Sequence, residues 1–302
     1  MTGRKTAGDS PAHFDGFESR RIEVDGIGIN LITAGRGPAV LLLHGYPQTH
    51  LMWRHIAPRL ADRFTVVAPD LRGYGDSDKP VSDPRHETYC KRTNARDQVA
   101  VMTALGHDRF HVVGHDRGGR VGHRLALDHP DRVNSLAVLD IAPTHKMYTE
   151  ADRAMATAYW HWFFLIQPAD LPERWIGSDP AYYLNRTFGS WGAGTEIFPL
   201  EILAEYLRCF SDPATIHASC EDYRAGAGID LEHDEEDLDR KLDCPVLALW
   251  GEAGFVGRHY DVIAAWKERA ANVTGRGIPG GHWLPEAVPE ETFEALTVFL
   301  NS

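Results

Sequence analysis

An apolar run, Val112-Val113, breaks at Gly114-His115-Asp116-Arg117-Gly118-Gly119 into a turn that leads to a helical pattern. The spacing predicts a sharp strand-to-helix elbow with the Asp116 side chain exposed at its tip, where bracketing glycines relieve backbone crowding. A carboxylate held there attacks an electrophilic carbon directly and forms an ester with it. The following helix N-terminus favours an anion at that point. Arg117 and Arg120 flank the carboxylate and suit an anionic substrate.

A covalent ester must be hydrolysed, and His282 is the candidate base. It lies in Pro279-Gly280-Gly281-His282-Trp283, after the last strand-like segment, and is the only one of 16 histidines beyond position 259. His44-Gly45-Tyr46-Pro47 follows the strongest apolar run. A glycine-lined turn there can aim backbone N–H groups at developing negative charge, so the N–H groups of Tyr46 and Arg117 form the expected oxyanion pair. The group that orients His282 has two candidates. Asp140 ends the run Leu136 to Leu139 and Glu252 ends the run Val246 to Trp250; Asp140 is the choice and Glu252 stays open.

These residues need a scaffold that brings strand ends together. Arg21 to Val24 and Ile27 to Thr33 flank Asp25-Gly26, a hairpin signal. Continuous apolar runs follow at Ala39 to Leu43, Phe64 to Ala68, Phe110 to Val113, Leu136 to Leu139 and Val246 to Trp250. Helical patterns at Trp53 to Ala61, Ala95 to Leu105 and Arg120 to Asp128 lie between them. This alternation predicts an α/β fold with a mostly parallel sheet and helices on both faces. It stops between about 144 and 240, a stretch rich in aromatics that reads as a helical cap. The expected domains are therefore a core of residues 1–143 and 241–302 and a cap of residues 144–240. Residues 1 to 17 read as a mobile tail. Asp230 to Asp239, with seven acidic residues in ten, reads as a solvated face.

The 302 residues carry 31 basic and 43 acidic side chains, a net charge of −12 that argues against nucleic-acid or anionic-membrane partners. An anionic substrate is repelled globally, so its site must be built from local cations. Cys90, Cys209, Cys220 and Cys244 lack CxxC or zinc spacing, and His44, His50 and His55 lack a His-Glu-x-x-His pattern. Neither metal nor cofactor is expected. The polar N-terminus has no apolar h-region, and no stretch nears the roughly 18 apolar residues of a membrane helix. A cytoplasmic protein is the expectation, which makes the acceptor patterns at Asn185 and Asn272 chance matches.

In combination the chain resembles the α/β-hydrolase superfamily, in its aspartate-nucleophile branch, and within it the fluoroacetate (haloacetate) dehalogenases. The likeness runs from about Val40 to Pro285. It rests on His44 to His50, His115 to Arg120, Tyr159-Trp160-His161-Trp162, Cys220 to Gly226, and Gly281-His282. The resemblance implies Asp116 as nucleophile, His282 as base and Asp140 as its acidic partner. It further implies Arg117 and Arg120 as the substrate-carboxylate clamp, His161, Trp162 and Tyr223 as halide donors, no cofactor, and a homodimer. The implied reaction is hydrolysis of a haloacetate to glycolate and halide. Tyr46 departs from the phenylalanine usual in that family, and Glu252 adds a carboxylate its pattern does not require. Epoxide hydrolases and haloalkane dehalogenases share the fold and the aspartate but typically place Trp after it, where this chain has Arg117. They are the alternative reading.

Overall fold

The computed structural model describes residues 12–192 and 194–302. Eight strands form one sheet: β1 (Glu18–Val24), β2 (Ile27–Ala34), β3 (Ala39–Leu43), β4 (Thr65–Pro69), β5 (Phe110–His115), β6 (Val133–Leu139), β7 (Val246–Gly251) and β8 (Val273–Ile278), in the order β1-β2-β4-β3-β5-β6-β7-β8. The hairpin β1–β2 and the β2–β4 pair are antiparallel; every pair from β4 to β8 is parallel. All five residues of β3 are buried, as is nearly all of β5 and β6. Burial on both faces is why these strands read as unbroken apolar runs, whereas the edge strand β8 alternates.

Helices α1 (Ala57–Leu60), α2 (Lys91–Ala104) and α3 (Arg117–Asp128) lie between the early strands. The expected helix over 53–61 is shorter than read, because Pro58 starts a new helix at α1 rather than continuing one. Helix α2 begins four residues before the apolar pattern, because Cys90 caps it by accepting from the Thr93 N–H. The tail reading needs correction: residues 1–11 lie outside the described residues, but Phe14 and Phe17 are buried and pack edge-to-face on one another.

Between β6 and β7 come α4 (Thr144–Thr149), α5 (Arg153–Ala158), α6 (Trp160–Leu165), α7 (Leu171–Ser178), α8 (Pro180–Ser190), α9 (Leu200–Phe210), α10 (Pro213–Ala227) and α11 (Ile229–Glu236). Most of their aromatics join the same buried cluster as the sheet residues. The acidic stretch is not uniformly solvated. Asp230 and Asp237 are buried, because Lys91 and Arg124 from the α/β layer reach them. The chain closes with α12 (Phe255–His259), α13 (Val262–Lys267), α14 (Leu284–Ala287) and α15 (Pro289–Leu300). No described helix is long and apolar enough to cross a membrane.

Candidate active site at the strand ends

Asp116 sits between β5 and α3 with φ +46°, a left-handed value that non-glycine residues adopt only when their surroundings impose it. The surroundings are tight. A Cβ on Gly114 would lie 2.5 Å from the Gly118 carbonyl oxygen, and one on Gly118 would lie 2.4 Å from the carbonyl oxygens of Leu43 and His44. Only glycine lets the helix start this close to β3 and β5. The Asp116 carboxylate is buried, and its Oδ2 accepts from the Tyr46 N–H at 3.0 Å. Burial opposes its ionisation, but His282, Arg120, His115 and Arg117 outweigh that and hold its pKa below the usual carboxylate value.

His282 arrives on the turn after β8. Its N–H donates to the Trp191 carbonyl and its own carbonyl accepts from His115 Nε2 at 2.7 Å, so the loop is pinned from both sides. Its Nδ1 lies 2.7 Å from Asp140 Oδ2, while Asp140 Oδ1 accepts from the Gly251 N–H at 3.0 Å. Asp140 is at the end of β6, also at positive φ. Glu252 is exposed, one residue beyond β7, and does not reach the imidazole. The Asp140 contact leaves His282 Nε2 buried and without a partner.

The two arginines differ. Arg117 is clasped by Asp222 of α10, through Nε to Oδ2 at 2.8 Å and Nη2 to the Asp222 carbonyl at 2.6 Å. Lys91 and the Tyr74 hydroxyl bind the same carboxylate. Only Arg117 Nη1 is left unpartnered. Arg120 is equally buried, but its hydrogen-bond partners are neutral: the Ala142 carbonyl at 3.1 Å, Thr144 Oγ1 at 2.8 Å and Met147 Sδ at 3.3 Å. Among the described residues it makes no ion pair within 4 Å. Its guanidinium lies 4.6 Å from the centre of the Trp162 ring.

His161 and Trp162 of α6 and Tyr223 of α10 come together above this floor. The Tyr223 ring is 5.8 Å from His161 and 6.2 Å from Trp162, and Arg117 lies 4.2 Å over its face. All three side chains are buried, and His161 Nδ1, Trp162 Nε1 and the Tyr223 hydroxyl have no hydrogen-bond partner. Burial lowers the His161 pKa to about 3, with His282, Arg117 and Arg120 adding to the effect, so the ring is neutral. A cavity of about 150 Å³ bordered by Asp140, Tyr159, Trp191, Phe255 and His282 lies between the strand ends and the inserted helices. The Tyr46 hydroxyl meets the Tyr183 hydroxyl at 3.1 Å, and its ring packs 5.2 Å from that of Tyr223.

Several residues at this site carried no role in the sequence reading. Asp222 fell inside a quoted motif, yet nothing linear pairs it with Arg117, 105 residues earlier. Tyr148 of α4 packs 4.9 Å from Trp162 and also buries an unpartnered hydroxyl. Trp191 packs at a tilt on His161 and meets His282 edge-on. Such contacts leave no spacing signal because helix packing creates them.

Residues 38–286 match the family model described as alpha/beta hydrolase fold. A fluoroacetate dehalogenase of Burkholderia sp is 50% identical over 289 residues, 95% of each chain. A soluble epoxide hydrolase of Corynebacterium sp. (strain C12) is 37% identical, over 91% of this chain and 94% of its own. A solved structure from Nostoc sp PCC 7120, assigned to the alpha/beta hydrolases, is 61% identical with TM-score 0.93, covering 94% of this chain and 98% of that one. The chain belongs to the alpha/beta-hydrolase family, in the part of it that includes these fluoroacetate dehalogenase and epoxide hydrolase relatives.

Proposed function

We propose that the protein hydrolyses a haloacetate to glycolate and halide through an ester on Asp116. The observation that carries this reading is Arg120, a buried guanidinium without a carboxylate partner among the described residues, one helical turn from a buried carboxylate. A neutral substrate leaves that charge facing only the Asp116 carboxylate, whose own charge is lost when the ester forms, whereas a substrate carboxylate pairs with it.

Arg120 and the free Arg117 Nη1 hold the substrate carboxylate. An Asp116 oxygen attacks the halogen-bearing carbon; the C–O bond forms as the carbon–halogen bond breaks, and the halide leaves with the electron pair. His161, Trp162 and Tyr223 offer the N–H and O–H donors for that anion, which matters most for fluoride. His282, oriented by Asp140, then takes a proton from water, which attacks the Asp116 carbonyl carbon. The Tyr46 and Arg117 N–H groups hold the resulting oxyanion. As the tetrahedral centre collapses, the glycolate oxygen takes the proton from His282, the remaining proton passes to solvent, and the Asp116 carboxylate is regenerated.

Residues 144–240 act as a cap domain over a core of residues 1–143 and 241–302, a division supported by the cap-side origin of the halide donors. Leu171, Trp175 and Tyr182, exposed on neighbouring helices α7 and α8, support a homodimer face. Four free cysteines fit a cytoplasmic setting.

The second reading, an epoxide hydrolase, draws on the Tyr148 and Tyr223 hydroxyls, both buried and unpartnered beside Trp162, which suit protonation of an epoxide oxygen. Fluoroacetate, chloroacetate and an epoxide panel assayed side by side separate the two. In a single turnover in oxygen-18 water, label should enter Asp116 and the first glycolate hydroxyl should be unlabelled. Label in that hydroxyl would mean direct attack by water and would end the ester mechanism.

A further inference from the structure

Behind the Arg117–Asp222 pair, three ligand-type groups from distant parts of the chain converge. Cys90 precedes α2, while Asp230 and His233 stand three residues apart on α11, hence on one face of that helix. The Cys90 sulfur, an Asp230 carboxylate oxygen and a His233 ring nitrogen lie within 4.8 Å of one another. We propose that Cys90, Asp230 and His233 form a binding site for a soft divalent cation of the Zn²⁺ type, separate from the catalytic machinery and independent of the dehalogenase reading.

The donor set argues for that cation class. One sulfur, one nitrogen and one oxygen give three of the four positions of a tetrahedral zinc centre and leave the fourth for water. The thiolate disfavours hard cations such as Mg²⁺ or Ca²⁺. Two of the three residues keep one ligand-type atom free of hydrogen bonds. Asp230 Oδ1 accepts from the Lys91 N–H at 2.8 Å, but Oδ2 accepts none, and His233 Nδ1 is likewise buried and unpartnered. Cys90 is nine-tenths buried or more and carries only the Thr93 contacts of its cap. His233 is only partly buried and gives the site its route to solvent.

Other charges face the cluster. Lys91 Nζ is 3.4 Å from Asp230 Oδ2 and also binds Asp222, so a cation entering here leaves Lys91 to Asp222. Arg92 and Arg124 lie near His233 and oppose added positive charge there. Asp234 offsets part of this positive field. The other group of potential ligands, Glu173, His217 and Glu221, is already spanned by Arg224, which bonds both carboxylates. On binding, the Cys90 sulfur–hydrogen bond is replaced by a sulfur–metal bond and the proton passes to solvent, so affinity rises with pH.

Co²⁺ is the probe, titrated into chelator-treated full-length protein, with Zn²⁺ calorimetry alongside. The expected result is one equivalent bound with a sulfur-to-cobalt charge-transfer band. That band should vanish in Cys90→Ser and persist in Cys209→Ser and Cys244→Ser. His233→Gln should weaken binding at least about tenfold. Serine keeps the helix cap, so Cys90→Ser should fold, as circular dichroism will verify. Absence of the band in folded wild type, or a band that survives Cys90→Ser, overturns the proposal.

Discussion

The floor and the roof of the candidate site are built differently. On the floor, main-chain groups hold the candidate residues: Tyr46 N–H on Asp116, Gly251 N–H on Asp140, and the His282 N–H and carbonyl bonded to the Trp191 carbonyl and the His115 ring. On the roof, His161, Trp162 and Tyr223 are positioned by ring packing and keep unpartnered polar atoms. Leaving a buried donor unpaired costs about 1–3 kcal/mol, so the roof stores unfavourable free energy that, under the proposed mechanism, a departing halide relieves. Under the proposed mechanism the floor places the reactants, and the roof is complementary to a charge that exists only after the bond breaks.

The same contrast separates the arginines. Arg117 belongs to a buried charge network with Asp222, Lys91 and Tyr74, whereas Arg120 rests on neutral acceptors. Burial lowers the Arg120 pKa, but Asp222 raises that of Arg117 against the same burial. One cation is largely structural and the other is largely available.

The largest effect should come from the floor. His282→Asn should release one equivalent of halide and then stall, with turnover down by about 10⁴-fold or more and the Asp116 ester visible by intact mass. Sustained turnover would remove His282 from the base role. Arg120→Leu comes next: kcat/KM for haloacetate should fall by about 10²- to 10³-fold, as for loss of a buried charge partner, with much smaller loss on a neutral haloalkane. Equal losses would show that its charge does not read the substrate. Arg117→Leu, by contrast, should also lower unfolding stability by about 3–5 kcal/mol, because it strips Asp222 of a partner.

On the roof, Trp162→Phe and Tyr223→Phe each remove one donor and should slow fluoroacetate turnover by about 10- to 100-fold. Bromoacetate, with its better leaving group, should be affected less; identical losses on both would break the distinction between roof and floor. The smallest effect lies outside the site. Burial, aided by Arg124 and Arg269, lowers the His123 pKa to about 3. The unfolded chain therefore takes up the proton first, and stability present above pH 6.5 drains as pH falls toward 3. Wild type should lose about 2 kcal/mol more than His123→Leu between pH 7 and pH 5 in urea unfolding. Parallel profiles would reject the assignment.

Much of the floor was legible in sequence because its residues sit at the ends of apolar runs, next to glycines with a local steric purpose. Gly114 and Gly118 announce the elbow, and each run marks where a strand must stop. The choice between Asp140 and Glu252 was not legible, since both end a strand. The tertiary contact decides it: Asp140, at φ +51°, meets the His282 imidazole, while Glu252 is exposed. The acidic stretch misled for a related reason. Composition reports charge but not the buried Lys91 and Arg124 that meet it.

By itself, then, the sequence determined an α/β sheet, a carboxylate elbow and a late histidine, because strand periodicity and turn sterics act over a few residues. Tertiary structure alone decided that Arg117 is spoken for by Asp222 while Arg120 is not, and that Cys90 meets Asp230 and His233. Those pairings arise where inserted helices pack on the sheet. Charge compensation in a buried site depends on which side chains arrive together, and no local pattern encodes that arrival.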